Sequence, residues 1–204
     1  LAVAGTDAIL PRAASAPHLR VRERRGVQMD EKKVSDGDYA ADISYRDQPL
    51  SETEISEMKD REEWNIKNPP NEVTLVKNLR ETELVPREYR NTRARFMKLT
   101  GERRLQPHLS ELPPLGRSTN HRHTTEAVIY IIKGSGYSTI GYDDEPLQKV
   151  EWEEGDLFGI PLWAWHQHVN TSETDTVRYL AVQDTFMIKA LGLHQIERHP
   201  NQNT

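Results

Sequence analysis

Cysteine is absent from all 204 residues, which removes disulfide frameworks, thiolate-bound zinc, iron–sulfur clusters and a cysteine nucleophile together. Any metal must therefore sit on nitrogen and oxygen. No apolar run is long enough to span a bilayer, and the opening stretch Leu1–Leu10 lacks the basic leader and the length of a secretory signal. A cytoplasmic protein is expected, with a start that was processed or truncated because no initiator Met is present. An excess of positive charge is also missing. Lys and Arg number 27 against 32 Asp and Glu, for a net charge of -5 and a pI near 5.9. No global basic field would draw such a chain onto nucleic acid or an anionic membrane. The expected partners are small molecules, with neither nucleic acid nor membrane among them.

Residues 1 to about 50 have little periodicity and read as an arm. The run Arg20, Arg22, Arg24, Arg25 is interrupted by Glu23 and followed by Asp30 and Glu31, so a solvated arm is favoured over a nucleic-acid patch. Ser51 with Glu54 forms a capping-box pattern, Ile55 and Met58 supply a short apolar stripe, and Asn68-Pro69-Pro70 stops the chain. These signals predict one helix over residues 52–67. After a mixed segment, Glu72 to Leu79, and a boundary at Pro86, the alternation across Arg93–Leu99 predicts a strand.

From residue 116 the texture becomes short β-rich runs: Ala127–Ile132, Tyr137–Gly141, Leu147–Trp152, Leu157–Ile160, His166–Asn170 and Val177–Gln183. Turn signals separate them at Gly134-Ser135-Gly136, Asp143-Asp144 and Glu154-Gly155-Asp156, the pattern of an all-β sandwich or barrel. Thr185–His194 reads as a short helix or strap, and the last ten residues as a polar tail. The expected division is an N-terminal arm and helical extension over residues 1–85 and a β domain over 86–204.

Four of the eight histidines fall in two clusters, His121-Arg122-His123 and His166-Gln167-His168. In a strand an i, i+2 spacing puts both imidazoles on one face, so two can reach a common point inside a barrel. A metal then needs a third ligand from elsewhere. Counting by twos from His123 brings Thr125, Ala127 and Ile129 inward and leaves Glu126 outside, unless a bulge rotates it back. Arg122 points outward by the same phase. Arg117 and Arg178 are candidates to pair with a substrate carboxylate, against the commoner fate of a surface ion pair. Trp163 and Trp165 could wall an aromatic pocket or simply pack. His168 shares the inner phase of His166, as a proton shuttle, a partner of the ligands or a satisfied core histidine. Tyr130 and Gln183 are weaker candidates.

These residues resemble the cupin superfamily. One signature runs from Gly116 through His121, His123 and Glu126 to Gly134 and Gly136; the second is Gly155-Asp156-Leu157-Phe158-Gly159-Ile160-Pro161, then His166 and Asn170, with Trp163 where glycine is often found. The resemblance implies a jelly-roll or double-stranded β-helix barrel with His121, His123 and His166 as metal ligands. His-Arg-His-Thr, with Pro161, Trp163, Trp165, His166, His168 and Asn170 in the second signature, is most similar to the gentisate 1,2-dioxygenase group, here as a single cupin. That likeness implies iron(II) on three histidines and dioxygen cleavage of a hydroxylated aromatic acid such as gentisate or salicylate. Zinc, manganese or nickel would also accept these ligands. The site residues expected are His121, His123 and His166 for metal, His168, Arg178 and Gln183 for catalysis, and Trp163, Trp165 and Arg117 for substrate. The rival readings are a metal-dependent isomerase, lyase or decarboxylase working without dioxygen, and a non-catalytic binding cupin. Sheet edges in one small barrel need cover, so a homodimer or higher homo-oligomer is expected.

Overall fold

The computed structural model describes residues 50–143 and 145–200. The arm expected over residues 1–50, with its arginine run, lies outside the described residues except at its last position. The described residues fall within one compact unit.

The helix α1 spans Glu52–Lys67 and begins as its sequence dictates, with the Ser51 hydroxyl accepting from the Glu54 amide and the Glu54 carboxylate accepting from the Ser51 amide. It ends where the Asn68 side chain donates to the Trp64 carbonyl at 3.0 Å, just before Pro69-Pro70. The buried face differs from the apolar stripe read in sequence. Ile55 and Met58 are exposed, whereas Glu54, Glu57, Arg61 and Trp64 are buried. Glu57 carries that reversal, because it ion-pairs with both Arg90 and Arg198 at 2.7 Å. A carboxylate with two guanidinium partners tolerates burial that an unpaired one does not.

Twelve strands among the described residues form two sheets: β1 Asn71–Val73, β2 Val85–Arg87, β3 Thr92–Leu99, β4 Gln106–Leu112, β5 His121–His123, β6 Ala127–Lys133, β7 Gly136–Gly141, β8 Gln148–Trp152, β9 Leu157–Ile160, β10 Trp165–Asn170, β11 Val177–Gln183 and β12 Ile196–Arg198. A 3₁₀ turn at Glu88–Arg90 precedes β3, and α2 covers Thr185–Ala190. One sheet runs β1-β3-β4-β11-β6-β9 with β2 beside β3; the other runs β12-β5-β10-β7-β8. Pairing is antiparallel except between β1 and β3. This is the expected all-β architecture, two sheets preceded by one N-terminal helix.

The inward phase of β6 and β11 fills the barrel with Ala127, Ile129, Ile131, Val177, Tyr179 and Ala181, joined by Leu112, Trp152 and Ile160. Backbone close approach explains Gly136, where a Cβ would lie 2.1 Å from the Val169 carbonyl oxygen. Two strands differ from expectation. β4, with Pro107 inside it, escaped the strand pattern, yet it pairs along its whole length with β11. β12 lies in the stretch read as a polar tail, where Ile196 is buried opposite His123. α1 lies on the N-terminal side of the boundary expected near residue 85 and packs on β12. Among the described residues no helix is long and apolar enough to cross a membrane.

Candidate metal centre

β5 and β10 are adjacent antiparallel strands, and the register sets His121 directly opposite His166. Since alternate residues share a face, His123 joins them. The ring centroids are 4.2 Å apart for His121 and His166, 4.8 Å for His123 and His166, and 5.5 Å for His121 and His123. One ligand atom from each lies within 4.8 Å of the others.

Each ring is oriented by a backbone carbonyl. Nδ1 of His121 meets the Thr119 oxygen at 2.9 Å, Nδ1 of His123 the Thr125 oxygen at 2.7 Å, and Nδ1 of His166 the Ala164 oxygen at 2.9 Å. A carbonyl only accepts, so Nδ1 carries the hydrogen in all three and the Nε2 lone pair is left for a cation. Burial, together with neighbouring cationic groups, keeps His121 and His123 well below the ordinary imidazole range, and burial brings His166 down to about 4. Near neutral pH all three rings are uncharged, the state a metal ligand requires. The donor set therefore fits a divalent cation that accepts imidazole nitrogen.

The three rings open on a cavity of about 40 Å³. Its polar wall includes Arg87, Arg90, His108, His168 and Gln183. The Gln183 amide nitrogen sits 3.2 Å from His123 Nε2, so cation binding at that nitrogen displaces or rotates the amide. His168 is buried, which lowers it to about 3, and its Nδ1 lies 2.7 Å from the Ser138 hydroxyl. Ser138 already accepts from the Trp152 indole at 2.9 Å. Its hydroxyl hydrogen is satisfied by donation to His168 Nδ1, which places the imidazole hydrogen on Nε2.

Sequence reasoning did not find Arg87, Arg90 and His108. Arg87 donates through Nε to the Tyr89 hydroxyl at 2.9 Å and lies over the Tyr89, Phe96 and Trp64 rings. Burial lowers Arg90 to about 10, opposed by Glu57, a value that still leaves the guanidinium charged. His108 stacks on Phe96 with ring centroids 4.5 Å apart, and its buried Nδ1 has no hydrogen bond. Recognising β4 as a strand would have placed His108 and Ser110 on its inner face, opposite Ala181 and Tyr179. No sequence signal marks Arg87 and Arg90 for the cavity.

The remaining sequence candidates lie outside that wall. Arg178 is bound to Glu111 at 2.8 Å and donates to the carbonyls of Leu79, Arg80 and Thr82, so it fastens the loop before β2. Arg117 is exposed beside an isolated bridge to Val169. Trp163 and Trp165 sandwich Arg122, whose guanidinium lies 4.6 Å and 4.2 Å from their rings. Arg122 also pairs with Glu197 and Asp143, the structural role its phase suggested. Trp163 takes a φ of 60°, the left-handed region that explains why glycine suits this position. Glu126 is exposed, Tyr130 is 42% exposed, and no bulge turns Glu126 inward, while Thr125 and Ala127 are buried. Asn170 donates to the carbonyls of Pro113 and Asp175 and braces the loops after β4 and β10.

The family model "Cupin domain" matches residues 108–183. The segment from β4 to β11 is similar to a cupin domain. Two curated relatives match the chain: 5-aminosalicylate 1,2-dioxygenase of a Comamonas species, 31% identical over 85 residues, and 1-hydroxy-2-naphthoate 1,2-dioxygenase of Nocardioides sp. (strain KP7), 29% identical over 85 residues. Those stretches cover 41% and 42% of this chain but 21% of either relative, so the chain spans about a fifth of their length. Salicylate 1,2-dioxygenase of Pseudoaminobacter salicylatoxidans, as a mutant in complex with gentisate, overlaps with a TM-score of 0.47 at 13% identity, covering 72% of this chain and 36% of that one. Vicilin of Capsicum annuum overlaps at 0.43 and 13% identity, covering 46% and 27%. Structural overlap of this size singles out no reaction.

Proposed function

We propose that the cupin domain is an iron(II)-dependent dioxygenase that cleaves the ring of a hydroxylated aromatic acid of the gentisate or salicylate type. The observation that carries this reading is one cavity with three neutral, oriented imidazoles on one wall and two buried guanidinium groups, Arg87 and Arg90, in its lining. The dioxygenase names of the two curated relatives support it. Iron(II) held by His121, His123 and His166 would bring the ring and dioxygen together and relay electrons from the electron-rich ring to dioxygen, with no net change in the metal. Both oxygen atoms enter the product as one ring carbon–carbon bond breaks, so no external reductant is required.

The residues divide the remaining work. Arg87 and Arg90 bind the substrate carboxylate through charge-assisted hydrogen bonds. His168 presents its Nε2 hydrogen to a developing oxyanion, and Gln183 turns from His123 to hold a ring substituent. An aromatic acid is larger than the 40 Å³ cavity, so binding requires side chains of the wall to move. Arg178, Arg117, Trp163 and Trp165 act from behind it by fixing loops and the entry to β10. The reading keeps a homodimer, supported by the exposed Val128, Tyr130 and Leu157 on the outer face of β6 and the edge strand β9. A light-scattering mass of one chain at micromolar concentration would overturn that part.

The test is elemental analysis of the purified chain followed by oxygen uptake with a panel of hydroxybenzoates. Uptake equimolar with substrate loss and dependent on added iron(II) is expected. Substrate turnover without oxygen uptake would replace this reading with a Lewis-acid isomerase, lyase or decarboxylase. Saturable binding without turnover would replace it with a non-catalytic binding cupin.

A further inference from the structure

A second cavity, of about 440 Å³, lies between α1, α2 and the chain leading into β12. Its volume falls in the roughly 300–1,000 Å³ range of small-molecule sites. Four nitrogen-bearing side chains line it: Arg61 and Asn65 from α1, Lys189 from α2 and His194 from the following loop. Met58, Ile66 and Ile196 supply apolar wall, and the lining carboxylate, Glu62, is solvent-exposed.

Arg61 marks the cavity as incomplete. It is 9% exposed, its Nε is buried without a hydrogen bond, and no other Arg61 nitrogen has a hydrogen bond or ion pair among the described residues. The nearby carboxylate is already taken, because Glu57 is shared between Arg90 and Arg198 at 2.7 Å each. The side chains of Lys189 and His194 likewise have no hydrogen bond or ion pair among the described residues, and burial and cationic neighbours are what act on them. A buried cation without a partner is costly, and a carboxylate supplies two oxygens in the geometry that a guanidinium binds best. Burial first, then Arg61 and Lys189, lowers His194 to about 3, consistent with cationic groups facing one space.

We propose that this cavity is a second binding site, separate from the three-histidine centre, for a small monocarboxylate with an apolar ring or short chain. The carboxylate is held by Arg61 and Lys189 with a hydrogen bond from His194, and the apolar body lies on Met58, Ile66 and Ile196. Occupation from this side bears on the barrel wall, since Arg61 stands one helical turn from Glu57, the partner of Arg90.

The chain has four methionines, and Met58 is a reporter inside the cavity. The full chain labelled with ¹³C-methyl methionine is titrated with benzoate, the Met58 signal being identified by its loss in Met58→Leu. Benzoate is expected to shift that signal saturably, benzamide is expected not to, and Lys189→Gln and Arg61→Gln are expected to weaken the response at least tenfold. His166→Ala is expected to leave it unchanged. Lys189 is exposed, so its variant keeps the test decisive even if Arg61→Gln fails to fold. An unmoved Met58 signal at millimolar benzoate, an equal response to benzamide, an unaltered response in Lys189→Gln, or its loss in His166→Ala would overturn the proposal.

Discussion

At the scale of the residue, the candidate metal centre is built less from three histidines than from three histidines each bound to a carbonyl. That hydrogen bond fixes both ring direction and tautomer before any cation arrives, which lowers the ordering cost of binding. His166→Ala is expected to reduce bound metal from about one ion per chain to less than about a tenth of that, as measured by elemental analysis. Full retention would remove the assignment. Glu126→Gln is expected to keep metal content and to change turnover by no more than about threefold, because the side chain is exposed and its strand phase continues unbroken into Ala127. Loss of metal in that variant would restore Glu126 as a ligand. The convergence of His121, His123 and His166 was legible because period-two spacing is a property of local backbone. The placement of Arg87 and Arg90 was not. It depends on a 3₁₀ turn whose direction is set by β3 and by Glu57, a residue 33 positions away from Arg90.

At the scale of the element, α1 shows where local and tertiary signals separate. Its bounds follow from the capping box and the Asn-Pro-Pro stop, both of which act through neighbouring residues. Its buried face follows from partners far along the chain, and an ion pair outweighed the Ile55 and Met58 stripe. Two substitutions separate these contributions. Ser51→Ala is expected to cost about 1 kcal/mol through the lost cap, whereas Glu57→Ala is expected to cost about 3 kcal/mol or more because the buried Arg90 guanidinium loses its carboxylate and Arg198 keeps only Asp60. Urea denaturation monitored by circular dichroism measures both. Equal effects would show that the buried pairs add nothing beyond helix formation. β4 went unread for a related reason: Pro107 and the polar Gln106, His108 and Ser110 hide a strand whose buried polar side chains face the site rather than solvent.

At the scale of the whole molecule, buried neutral histidines make stability depend on pH. His166 is brought to about 4, and His168 and His194 to about 3, all chiefly by burial, against about 6.5 in an unfolded chain. Above about pH 6.5 these groups are neutral in both states and contribute no pH dependence. As pH falls through the unfolded value, the unfolded chain binds protons first, so stability declines from about pH 6.5 toward about 4 and then 3. For His166 alone the loss at pH 5 is on the order of 2 kcal/mol. Chelator-treated protein is expected to show a lower urea midpoint at pH 5 than at pH 7.5, and an unchanged midpoint would mean that these rings titrate normally.

Glu57 also determines how the molecule comes apart. Its carboxylate joins α1 to the turn before β3 through Arg90 and to β12 through Arg198. Fraying of α1 therefore exposes two unpaired cations, one beside the metal-centre cavity and one on the last strand. Local opening of the helix is thermodynamically linked to loosening at both places. Amide hydrogens of α1 and β12 should then exchange with a shared protection factor, as one cooperative unit.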